Sequence, residues 1–127
     1  MTVRLLDSTV LIDHLRGHRA AVGFLERAAG RGDQLWSLAL VRFEVLAGML
    51  AGEERRTFQL LDRIQWLDVT TEVADRAAEL ARTFRSTHPG SSPIDYLIAA
   101  GVHQLGADLA TRNIRHFPMF PGLQPPY

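Results

Sequence analysis

Short apolar runs alternate with helical patterns along this chain, and that alternation restricts the fold more than any other feature. Residues 3–6 read as a strand, and Val10, Leu11 and Ile12 open a helical turn that Gly17 breaks. Residues 18–29 read as a helix, with Ala21, Phe24, Leu25 and Ala28 on one stripe. A strand over 34–39 leads to helices over 40–50 and 53–66, and a short strand over 67–69 follows. Residues 71–84 form a strongly amphipathic helix, and 86–92 form a loop. Ser92 and Pro93 cap a helix that Gly106 stops, and 107–111 is a last strand. Prolines punctuate the tail, where a short edge strand is expected near Leu123. Strands separated by helices pair in parallel through right-handed crossovers, so the expected fold is an α/β three-layer α/β/α sandwich with a small parallel sheet.

At 127 residues the chain is expected to form one domain over 1–127. It has no cysteine, which excludes disulfides, thiolate zinc sites and cysteine nucleophiles. It has no lysine either, which excludes a P-loop, Schiff-base chemistry and a lysine base. Formal net charge is zero, so binding to a polyanion would need a local arginine patch. His14 and His18 are four apart, but the His-Glu-x-x-His pattern of a zinc site is missing and Gly17 interrupts them. No apolar run reaches the length of a membrane span, and the acid at position 7 arrives too early for a secretory leader, so the cytoplasm is expected.

In an open α/β sheet, ligands bind outside the carboxyl ends of the strands. Four oxygen-bearing side chains fall at such ends or just inside the following helix: Asp7, Glu44, Asp95 and Asn113. Brought together, they form a hard-oxygen donor set suited to Mg²⁺, with Mn²⁺ as the alternative. Each residue also has a plain structural explanation. Asp7 and Asp95 sit where helix caps favour acids, Glu44 can pair with Arg42 on a helix face, and Asn113 suits a turn. Thr9 and Thr111 stand near enough in sequence to brace the site. Glu26, Glu53, Glu54, Asp62, Asp75 and Glu79 read as solvated helix faces, and Asp13 either faces the cleft or pairs with Arg16.

Four segments carry a family likeness: Leu6-Asp7-Ser8-Thr9-Val10-Leu11-Ile12-Asp13, Val41-Arg42-Phe43-Glu44-Val45-Leu46-Ala47-Gly48, Ile94-Asp95-Tyr96-Leu97-Ile98-Ala99-Ala100, and Leu109-Ala110-Thr111-Arg112-Asn113. In this order and spacing the chain resembles the PIN-domain ribonucleases, specifically the VapC toxins of VapBC toxin–antitoxin pairs. The resemblance implies a Mg²⁺-dependent ribonuclease with Asp7, Glu44 and Asp95 at the family's three acidic positions. Asn113 stands where many members have a fourth acid, which removes one negative charge. It further implies a homodimer, and a VapB-like antitoxin whose tail occludes the active site. Asp7 and Asp95 would hold the metal, and Glu44 would support it or act as general base. Arg112, Arg115 and His116 are RNA-phosphate candidates beside the site, with Arg16, Arg42 and His14 behind them.

Two other classes compete. A phosphoreceiver needs a late lysine, and an aspartate-nucleophile phosphatase needs an acid where Thr9 stands; neither residue is present. A non-enzymatic partner of an antitoxin-like protein is the remaining alternative, and a nuclease assay of the partner-free chain separates it from an enzyme.

Overall fold

The computed structural model describes all 127 residues. The elements run β1 (Val3–Leu6), α1 (Ser8–Leu15), α2 (Arg19–Gly30), β2 (Gln34–Leu38), α3 (Ala39–Ala47), α4 (Glu54–Leu61), β3 (Gln65–Leu67), α5 (Thr71–Phe84), α6 (Pro93–Leu105) and β4 (Asp108–Ala110). A single 3₁₀ turn, Ile114–His116, follows β4. The sheet order is β3-β2-β1-β4, and every pair is parallel. Leu5 lies opposite Trp36 on one side and Leu109 on the other.

The chain steps from β1 to β2 to β3 in one direction, then returns to lay β4 on the far side of β1. Right-handed crossovers therefore place α1–α4 on one face and α5–α6 on the other. The packing agrees: α6 lies on β1, β2 and β4 and against α5, whereas α1 packs on α2 and α3. This is the α/β sandwich expected from the alternating pattern.

Both sheet faces are covered, so the strands are buried on both sides. Leu5, Leu6, Leu25, Leu38, Val41, Ile98 and Phe117 are almost completely enclosed in one continuous core. Each fully buried leucine contributes about 1.5–3 kcal/mol relative to exposure. Gly101 sets the spacing of α6 over the sheet. A Cβ there would stand 2.9 Å from Leu38 Cδ1 and 3.2 Å from both Leu5 Cδ1 and Leu67 Cδ2.

The main departures from expectation are in α4, β3 and the tail. Helix α4 ends at Leu61, not Trp66, because Gln65–Leu67 pairs with β2 and so β3 begins two residues earlier than expected. Ile64 keeps the apolar spacing of the helix but is buried from a turn. The tail forms no edge strand at Leu123; it closes in turns and packs Phe120 and Leu123 partly onto the core. No helix is long and apolar enough to cross a membrane.

Candidate active site at the carboxyl edge of the sheet

The strand order reverses between β1 and β4, and a crevice opens there at the strands' carboxyl ends. Asp7 is the first residue beyond β1 and the N-cap of α1, with extended backbone. Its amide donates to Ala110 O at 2.9 Å, which carries the β1–β4 ladder up to the crevice. Its carboxylate is held from both sides. Oδ1 accepts from the Ser8 amide at 2.7 Å, and Oδ2 accepts from the Thr111 hydroxyl at 2.7 Å and the Thr9 hydroxyl at 3.4 Å. Thr111 is fully buried, and its hydroxyl also accepts the Asn113 amide at 3.0 Å. One hydroxyl thus couples the end of β1 to the loop after β4.

Asp95 enters from α6. Ser92 caps that helix through a reciprocal pair: Ser92 Oγ accepts the Asp95 amide at 3.3 Å, and Asp95 Oδ2 accepts the Ser92 amide at 2.8 Å. The same Asp95 oxygen lies 3.2 Å from His116 Nδ1. Ser91 Oγ donates to His116 O at 2.7 Å and so pins the 3₁₀ turn beside α6. Glu44 projects from the second turn of α3, half-buried.

Asp7, Glu44, Asp95, Asn113 and His116 line one cavity of about 190 Å³, together with Ser8, Ser92 and Ile94. Burial raises the pKa of Asp7; the Thr111 and Ser8 hydrogen bonds oppose that rise, and the Asp95 charge adds to it. Burial also raises the pKa of Glu44, reinforced by Asp7 and Asp95, while Ser8 pulls it the other way. Carboxylates sharing a partly dry cavity resist full ionisation until a cation joins them.

The donor set is oxygen-rich and free of sulfur, which suits a hard divalent ion. No three His, Asp or Glu side chains stand close enough to hold a metal together in the present arrangement. Mg²⁺ keeps several waters, so two carboxylates suffice as direct protein ligands. Asp7 and Asp95 fit that requirement: both are enclosed, and Asp95 Oδ1 makes no hydrogen bond within the protein.

The remaining sequence candidates lie where they can be compared directly. Arg112 and Arg115 are exposed next to the site, whereas His116 reaches into the cavity itself. Arg42 does not pair with Glu44; its guanidinium lies 5.2 Å from the Trp66 ring centroid. Arg16 is engaged with Glu53, at 2.9 Å. Glu53 is therefore no solvated helix-face acid: it is buried, and Oε1 accepts the Leu50 amide at 2.8 Å. Asp13 pairs with Arg112 at 3.1 Å rather than with Arg16, and its Oδ2 also accepts the Tyr127 hydroxyl at 2.7 Å. Tyr127 had no signal in the sequence, because it ends a proline-punctuated tail whose path only the fold reveals.

Residues 4–120 match the PIN-domain family model, and the chain belongs to the PIN-domain family. Within it, the chain is 44% identical to Ribonuclease VapC19 of Mycobacterium tuberculosis, over 98% of this chain and all of the relative. It is 39% identical to Ribonuclease VapC10 of the same organism, over 97% of this chain and 92% of the relative. Among solved structures, the toxin–antitoxin complex from Klebsiella pneumoniae matches with a TM-score of 0.81, 25% identity and 98% of both chains covered. VapBC2 from Rickettsia felis, bound to a promoter DNA fragment, shares the fold at a TM-score of 0.78 and 20% identity, with 96% of both chains covered.

Proposed function

We propose that this chain is a divalent-metal-dependent ribonuclease, the toxin of a type II toxin–antitoxin pair, with Asp7, Glu44, Asp95 and Asn113 as its catalytic residues. The observation that carries the reading is the gathering of these four side chains in one cavity at the topological switch point. The likeness to two proteins named VapC ribonucleases supports the same activity.

Asp7 and Asp95 would hold Mg²⁺, or Mn²⁺ in its place. When bound, the ion polarises a phosphate oxygen and acidifies a water molecule. The chain supplies the rest. Ser8, Thr9 and Thr111 lock the rotamer of Asp7, so little reorganisation remains for the reaction. Glu44, half-buried in the same cavity, takes the proton from the attacking water. Asn113 offers an amide in place of a fourth negative charge. Arg112, Arg115 and His116 oppose the charge of the RNA phosphates.

A VapB-like antitoxin is the proposed partner, supported by structural neighbours that are VapBC complexes. A homodimer in the cytoplasm completes the proposal. Phe43 and Leu50 leave large apolar side chains in solvent and supply surface for protein contacts. The test is cleavage of single-stranded RNA by the purified, partner-free chain. Activity is expected with Mg²⁺ or Mn²⁺, and loss with EDTA. Cleavage that persists in EDTA, or none under any metal condition, overturns the proposal.

A further inference from the structure

A second cavity of about 300 Å³ adjoins the catalytic one, lined by Thr9, Asp13, Arg112 and Asn113. Asn113 belongs to both cavities, so a strand leaving the catalytic cavity past Asn113 next meets Arg112. The Arg112 backbone is anchored, its amide donating to Thr9 Oγ1 at 3.3 Å. Its side chain is held as well, although it is about half exposed. Nη1 donates to Asp13 Oδ2 at 3.1 Å, and the guanidinium carbon lies 5.5 Å from the Tyr127 ring centroid. Tyr127 closes the triangle by donating its hydroxyl to the same Asp13 oxygen at 2.7 Å. The Tyr127 ring is itself seated on His18, the N-cap of α2, and on Phe24 within that helix, with centroids 5.4 and 6.0 Å away. The remaining N–H groups of Arg112 have no partner in the protein.

An unrestrained surface arginine loses rotamer entropy when it binds a phosphate. A guanidinium already braced by a carboxylate and a ring loses less. We propose that Tyr127 and Asp13 are positioning residues that hold Arg112 for a phosphate of the RNA strand leaving the catalytic cavity past Asn113. The inference rests on the ribonuclease reading. The Tyr127 hydroxyl suits this role. Burial and the neighbouring Asp13 charge push its pKa upward, so it stays protonated and remains a donor.

The test is steady-state cleavage of a single-stranded RNA oligonucleotide with Mg²⁺, comparing Arg112→Ala, Tyr127→Phe and the double variant. Tyr127→Phe keeps the ring against Arg112, His18 and Phe24 and removes only the bond to Asp13. Arg112→Ala is expected to raise KM about fivefold, with kcat held within about twofold. Tyr127→Phe is expected to raise KM about threefold, also without change in kcat. In the double variant, Tyr127→Phe adds nothing to Arg112→Ala, because it acts only through the arginine. A purely structural tyrosine would instead lower both backgrounds alike. Tyr127→Phe at wild-type KM, or effects that multiply in the double variant, overturns the positioning role while wild-type cleavage keeps the ribonuclease reading intact. A wild-type chain that cleaves no RNA overturns both.

Discussion

The two ends of the parallel sheet treat their carboxylates in opposite ways. At the amino edge, Asp33 accepts from Arg4 Nε at 2.8 Å, from Arg31 at 3.2 Å and from the Thr2 amide at 3.1 Å. The Arg4 bond above all holds its pKa down to about 2. At the carboxyl edge, Asp7 and Glu44 are pushed the other way, first by burial and then by neighbouring acids. Arg4 belongs to β1 and Asp7 follows it, so one short strand carries both environments. The acid at the amino edge is satisfied as it stands. Those at the carboxyl edge have no arginine partner, and the one side-chain base in their cavity, His116, lies against Asp95. A site left short of cations is poised to gain from one.

The largest effect expected from this contrast is on turnover. Asp7→Asn should lower RNA cleavage by about a hundredfold or more, in line with losses at metal-holding positions. The same variant should melt higher than wild type without metal at pH 7, because it removes a buried like charge. That advantage should narrow as acid protonates wild-type Asp7. An equally active variant, or a lower metal-free melting temperature, breaks the contrast.

Next in size is the response to metal. Mg²⁺ or Mn²⁺ at about a hundredfold excess over Kd should raise the melting temperature by roughly 10 °C in wild type. Asp7→Asn should lose most of that gain; superimposable wild-type curves would sink the metal proposal.

Thr111→Val probes the link between the end of β1 and the loop after β4. It takes a short hydrogen bond from Asp7 and an acceptor from the Asn113 amide, at an expected cost of about 1–3 kcal/mol in denaturant unfolding.

The smallest effect belongs to the amino edge. Asp33 has a depressed folded pKa, so its contribution is present above its ordinary value of 3.8 and is lost as pH falls toward 2. Asp33→Asn should lower the melting temperature at pH 7 and lower it much less near pH 2. A constant difference at both pH values would show that the ion pairs with Arg4 and Arg31 contribute nothing.

The readable parts of this protein were those that local patterns settle. Apolar runs located β1, β2 and β4, the Ser92-Pro93 cap located α6, and strand ends located Asp7. Helix α4 was overextended because Phe58, Leu61 and Ile64 keep helical spacing, while pairing with β2 claims Gln65–Leu67. Glu53 was misjudged, and the Arg16 pairing offered for Asp13 failed, for a related reason: their partners are decided by the fold. Arg16 lies 37 residues from Glu53, and Arg112 and Tyr127 lie 99 and 114 residues from Asp13. His116 was placed beside the site and turned out to line it, since only the Ser91 bond and the 3₁₀ turn aim it at Asp95.

The contact between Asp7 and Thr111 spans 104 residues. On a translating ribosome, the amino-terminal half of the chain emerges first, and its acid has only its neighbours Ser8 and Thr9 to brace it. The cutting edge is finished only when β4 docks beside β1 and brings Thr111 and Asn113 with it. A half-made copy therefore carries an unfinished site until synthesis is nearly done.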